Sequence, residues 1–167
     1  FPVPQSGTEV MWNHKLHWKG EGFHITYAGY IPPKGSEGIG EPLGQEEWQM
    51  SPMWSPSNKG VEDARGIESQ YLNVFTGPPS IAGDATLTQY NFAKANDIWL
   101  YFASQRRVRR APNVAFDNPG TNSDALRTSD QFDMYNGSPQ RYEWTLVGKK
   151  EMLVPYNSYK LNSNTLK

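Results

Sequence analysis

The chain has 167 residues, enough for one domain, and carries 16 lysines and arginines against 17 aspartates and glutamates, a net charge of -1. That balance excludes the strong basic excess of a domain that lives on phosphate backbones. The lack of cysteine excludes disulfides and thiolate chemistry, and no apolar run approaches the roughly 20 residues of a membrane-spanning helix.

The first predicted element is a helix over residues 8–18, capped by Thr8, with Glu9 in its first turn and Gly20 past its end. Met11, Trp12 and Leu16 form its apolar stripe. Residues 22–33 alternate Phe23, Ile25 and Tyr27 against His24 and Thr26, a strand pattern stopped by Pro32 and Pro33. A glycine-rich loop over 34–44 leads to a second strand holding Trp48, Met50 and Met53, then to a polar loop over 55–66. Strand signals follow closely at 69–77, 83–92 and 97–102, and a tight connection at Ala103 and Ser104 opens a further strand over 105–112. There Arg107 and Arg109 face one way, and Arg106, Val108 and Arg110 the other. Ser129 caps a short helix over 130–136, and residues 141–155 close the chain as a long strand with a bulge at Gly148. Such a meander predicts a mainly β fold: a curved antiparallel sheet or incomplete barrel with a short N-terminal helix and a short inserted one. The chain opens at Phe1-Pro2 without an initiator methionine or a signal peptide, and is read as one domain, 1–167, cut from a longer product.

Catalytic motifs are weak. His14 and His17 lie three apart with His24 nearby, but they lack the glutamate of a zinc-protease helix, and surface histidines are the better reading. No nucleophile elbow or phosphate-binding strand–loop–helix surrounds the serines or Gly35, Gly38 and Gly40. No catalytic residue, metal or cofactor is expected.

Two features remain. Arg106, Arg107, Arg109 and Arg110 form either an anion or lipid-headgroup patch or a set of internal ion pairs, favoured here, with Asp117, Asp124, Asp130 and Asp133. Arg107 and Arg109 with Asp124, Asp130 and Asp133 are the structural pairs expected. The aromatic strands either fill an ordinary core or line a concavity for a hydrophobic ligand; Trp48, Tyr71, Phe75, Leu87, Trp99, Tyr101 and Trp144 are the candidate wall. Trp99, Leu100, Tyr101 and Phe102 are all expected to be largely buried, and Trp144 and Leu146 to share a face of the closing strand.

The segments FPVPQSGTEVMWNH, GPPSIAGDATL, WLYFASQRRVRRAPNVAFD and SDALRTSDQFDMYNGSPQRYEWTLVGKKEMLVPYNSY together resemble the domain-of-unknown-function family numbered 1329 of Gram-negative bacteria. The likeness spans nearly the whole chain and is weakest between Phe23 and Gly66. It implies a relative of the lipoprotein carrier and receptor pair LolA and LolB: an incomplete antiparallel barrel around short helices, with an apolar cavity for acyl chains. Family members are longer than this chain, so residues 1–167 would be the N-terminal part of such a β domain. The resemblance further implies an exported protein of the periplasm or outer-membrane periphery and a non-enzymatic carrier of a lipid or other hydrophobic molecule. Its implied partners are an outer-membrane or resistance-nodulation-division transporter and the remainder of its own chain, with no nucleic acid. The alternative is a structural or assembly protein that pairs through its sheet edge with another chain.

Overall fold

A computed structural model describes residues 1–30, 42–60, 62–92, 94–111, 117–120, 123–157 and 159. Helix α1 (Gly7–Leu16) starts one residue earlier than the sequence suggests, because Ser6 is the cap: its hydroxyl accepts from the Glu9 amide at 3.2 Å. The Glu9 carboxylate in turn accepts from the Gln5 amide at 2.6 Å, so two otherwise orphaned donors at the helix start are satisfied.

Six strands follow among the described residues: β1 (Gly22–Gly29), β2 (Leu43–Met50), β3 (Ile67–Phe75), β4 (Ala85–Asn91), β5 (Asp97–Phe102) and β6 (Arg107–Arg110). Each pairs antiparallel with the next, giving one open sheet in the order β1-β2-β3-β4-β5-β6. The fold class is the one expected, a mainly β, unclosed antiparallel sheet. The second strand begins at Leu43, inside the expected loop. Met53 falls instead in a 3-10 turn, Pro52–Trp54, because proline cannot continue the ladder. The expected loop glycines Gly35, Gly38 and Gly40, and the stop at Pro32 and Pro33, lie outside the described residues.

The register fixes two faces. Tyr27, Gln45, Glu47, Tyr71, Asn73, Phe75, Thr86, Thr88, Ile98 and Leu100 share the inner face, under α1 and residues 117–120 and 123–144. On the outer face Trp48, Leu72, Leu87 and Trp99 lie side by side across four strands, and His24 stacks on Trp48 with ring centroids 4.8 Å apart. Burial is thin: Ala64 and Phe75 are the most enclosed apolar residues at 3% and 4% exposure, and no large side chain is fully sealed from water among the described residues.

Three expectations are corrected. The inserted helix over 130–136 is absent; Asp133 and Met134 both adopt positive φ, and the nearest helical turn is the 3-10 stretch Pro139–Arg141. Residues 141–155 are not a strand: Trp144 and Leu146 lie on an extended segment with no ladder partner among the described residues, and residues 145–157 are all exposed. A strand exists only with a neighbour, and residues 117–120 and 123–144 lie over the inner face of the sheet instead of extending its edge. Finally, β5 is apolar on both faces without being buried on either: Trp99, Leu100 and Phe102 are half-buried, and Tyr101 is exposed.

Candidate functional site

The cover over the inner face is held by specific contacts. Phe132 packs on Tyr71 with centroids 5.4 Å apart, the His14 ring meets the Asp133 carbonyl at 3.0 Å, and Lys19 pairs with Asp133. Trp144 donates from its indole to the Pro139 carbonyl at 2.7 Å and stands edge-on to Tyr135 and Tyr142 at 5.0 and 5.6 Å. Beneath this cover, between it and the sheet, runs a cleft of about 1590 Å³.

The floor of the cleft is polar in the middle. Glu47, only 3% exposed, accepts from the Tyr27 hydroxyl at 2.7 Å and from the Asn73 amide at 3.0 Å. The Tyr71 phenol lies near the same carboxylate. Asn73 also donates to Gln45 at 2.9 Å. Register explains the grouping, since Glu47 lies opposite Asn73, and Asn73 opposite Thr86. Burial, with the Glu47 charge beside them, pushes the phenols of Tyr27 and Tyr71 well above the usual tyrosine range, so both remain hydrogen-bond donors. Tyr90 is pushed up to about 12, chiefly by burial. Lys15 is buried and paired with Glu68 at 2.9 Å, so that charge is already neutralised. Leu43 and Phe75 at one end, and Ile98 and Leu100 along β5, give the cleft an apolar flank.

Of the expected aromatic wall, the structure brings only Tyr71 and Phe75 to the cleft. Trp48, Leu87, Trp99 and Tyr101 fall on the outer face, because strand side chains alternate and these four have the opposite parity. Trp144 belongs to the cover and anchors it at the start of α1, where a Cβ on Gly7 would come within 2.5 Å of the Trp144 backbone. Sequence reasoning missed Tyr27, Glu47, Asn73 and Thr88. Their signal was parity with Tyr71 and Phe75, which flank Asn73 at two-residue spacing on the same strand.

The arginine pairing is also corrected. Among the described residues, none of Arg106, Arg107, Arg109 and Arg110 forms an ion pair with Asp117, Asp124, Asp130 or Asp133. Arg110 pairs instead with Asp97 across the β5–β6 hairpin, and Asp97, also bonded by Lys94, is held below the usual carboxylate range by both cations. Arg109 reaches Gln105 at 3.2 Å and lies over the Phe102 ring. Arg107 sits on exposed β6, and Arg106 in the turn before it, with φ of 50°. Asp130 is buried by accepting from Thr128 at 2.6 Å and Tyr142 at 3.2 Å. Asp124, at positive φ, is exposed. The nearest acids in sequence are not the nearest in space. No group of three histidines or carboxylates able to hold a metal occurs among the described residues, and no helix there is long and apolar enough to cross a membrane.

Comparison with known proteins places this geometry. An uncharacterized protein of Pseudomonas aeruginosa is 39% identical over 172 residues, which span all of this chain and 37% of that relative. A domain from Vibrio parahaemolyticus, provisionally assigned to outer-membrane lipoprotein sorting, superposes with a TM-score of 0.56 at 17% identity, over 82% of this chain and 51% of that one. A second structure, from Desulfovibrio piger, superposes with a TM-score of 0.62 at 15% identity, over 87% of this chain and 55% of that one. This chain thus spans little more than a third of the bacterial relative and about half of each solved structure. The two structures show the fold, an open antiparallel sheet. The profile of the protein family of unknown function DUF1329 matches residues 1–167, and the chain belongs to that family.

Proposed function

We propose that this chain is the ligand-holding part of a non-enzymatic carrier in the Gram-negative envelope, which receives an amphipathic, lipid-like molecule between the sheet and its cover. The observation that carries this reading is the cleft itself. Its volume of about 1590 Å³ exceeds the roughly 300–1,000 Å³ of pockets for drug-sized ligands. It joins an apolar flank to a polar floor, the division that an acyl chain with a head group requires. The likeness to a lipoprotein-sorting fold points the same way. Delivery to an outer-membrane or resistance-nodulation-division partner is part of the proposal and rests on the family resemblance.

The test uses the full-length protein and a fluorescent fatty-acid probe. Thr86 lines the cleft and is only half-buried, so Thr86→Trp intrudes into the space with little strain on the sheet. We expect it to weaken probe binding at least about tenfold, roughly 1.4 kcal/mol. Leu87→Trp, one residue along and on the exposed outer face, should leave binding unchanged. Equal binding by both variants would remove the cleft from consideration.

One observation favours assembly as a second reading. Residues 145–157 are exposed, with Val147 at 87% and Leu153 at 104% exposure, yet they have no ladder partner among the described residues. An exposed segment that carries apolar side chains and has no ladder partner is open to pairing with another strand. Hydrogen exchange on the full-length protein should find the amides of 145–154 protected; free exchange there would dismiss the pairing.

A further inference from the structure

Resting on the carrier reading, one feature of the cleft says which head group it would take. Glu47 is the most buried carboxylate among the described residues, the groups bonded to it, Tyr27 and Asn73, are neutral, and so is the Tyr71 phenol nearby. Neutral donors satisfy its lone pairs but do not cancel its charge, and an uncompensated charge out of water is costly.

The cations nearby are otherwise placed. Lys15 is consumed by Glu68 at 2.9 Å. Arg127, from the cover, is the facing cation whose field reaches the phenols of Tyr27 and Tyr90. It forms no ion pair with Glu47, and its guanidinium lies against Gly120, where a Cβ would meet it at 2.6 Å. Lys94, which also lines the cleft, is paired with Asp97 at 3.0 Å, and Arg141 lies in the 3-10 turn of the cover, beside Tyr135 and Tyr142. Asp130 in the cover is negative and is bonded to Thr128 and Tyr142. The middle of the floor is therefore an anion beside the phenols of Tyr27 and Tyr71, both of which line the cleft. Phenol faces attract cations through the ring quadrupole, and a carboxylate behind them adds a field that a low-dielectric site screens weakly.

We propose that the cleft selects an amphiphile with a positively charged ammonium head group, seated over Tyr27 and Tyr71 with Glu47 beneath it. The ligand's tail would run along the apolar flank at Ile98 and Leu100. The source of the ammonium, a primary amine or a quaternary one, is separated by the test.

The full-length protein is loaded with the fluorescent fatty-acid probe, and the probe is displaced with dodecylamine, dodecyltrimethylammonium or dodecanoate, which share one tail and differ in head group. The expected result at neutral pH is displacement by one or both ammonium amphiphiles at concentrations about tenfold below dodecanoate, the scale of one charge interaction in a partly buried site. Glu47→Gln, which keeps an acceptor for Tyr27 and Asn73, should abolish that preference, so that the ammonium amphiphiles displace the probe no better than dodecanoate does. Equal displacement by all three, or preference for dodecanoate, would overturn the ammonium assignment and leave the carrier reading standing. Failure of the probe to bind at all would overturn the carrier reading and this inference with it. The comparison of amphiphiles on the unmodified protein decides the matter even if the Glu47→Gln substitution harms folding.

Discussion

Replacing Glu47 by leucine is expected to destabilise the protein by roughly 3 kcal/mol, since each buried donor left without an acceptor costs about 1–3 kcal/mol and some are rescued by cleft water. Two donors converge on this carboxylate, the Tyr27 hydroxyl and the Asn73 amide, with the Tyr71 phenol nearby. Burial and the Glu47 charge keep the Tyr27 phenol protonated, so it is left needing an acceptor, whereas Asn73 keeps its bond to Gln45. Glu46, next in sequence, tests the assignment. It lies on the outer face, half-buried, where it meets His24 at 2.7 Å. Its replacement by leucine should change stability by no more than about 0.5 kcal/mol, as at most surface sites. Chemical denaturation of the two variants measures the difference, and equal losses would mean that Glu47 is not the hub of the floor.

Gly7→Ala should lower stability by roughly 1–3 kcal/mol, the usual cost of overpacking. The sign matters, because intrinsic propensity alone would make alanine in a helix about 1 kcal/mol better than glycine. The reason for the reversal is contact. A Cβ on Gly7 would stand 2.5 Å from both the carbonyl carbon and the oxygen of Trp144, and backbone cannot swing aside as a side-chain tip can. The start of α1 and the end of the cover are therefore pressed together, which sets the height of the cleft roof. Gly60→Ala is the control, with nothing within 4 Å of the added methyl. A melting point for Gly7→Ala at or above that of the unmodified protein would show that helix and cover are not in contact. Trp144 fluorescence offers a second readout of the same contact.

Local pattern was enough for most of the elements. The alternation of Phe23, Ile25 and Tyr27, the turn residues around Gly77 and Gly83, and the aromatic run at 97–102 mark strands by themselves, since strand period and turn chemistry are short-range properties. Their close spacing also settles the meander, because short links join antiparallel neighbours. What the sequence could not decide was which face of the sheet is inside. Apolar residues at Trp48, Leu87 and Trp99 look like the lining of a cavity, and polar residues at Glu47, Asn73 and Thr88 look like a solvent face. The reverse holds, because residues 117–120 and 123–144 fold over the polar side and enclose it. That choice rests on long-range contacts such as Phe132 on Tyr71 and Trp144 on Gly7, which no local period encodes. Ion pairing failed for the same reason: Arg110 finds Asp97 across a hairpin, not the aspartates that follow it in the chain. Strands and their order thus follow from side-chain alternation and turns, which each short stretch of chain carries alone. The inner face, the buried carboxylate and the cleft follow only from the packed fold, because burial is a property of what lies on top.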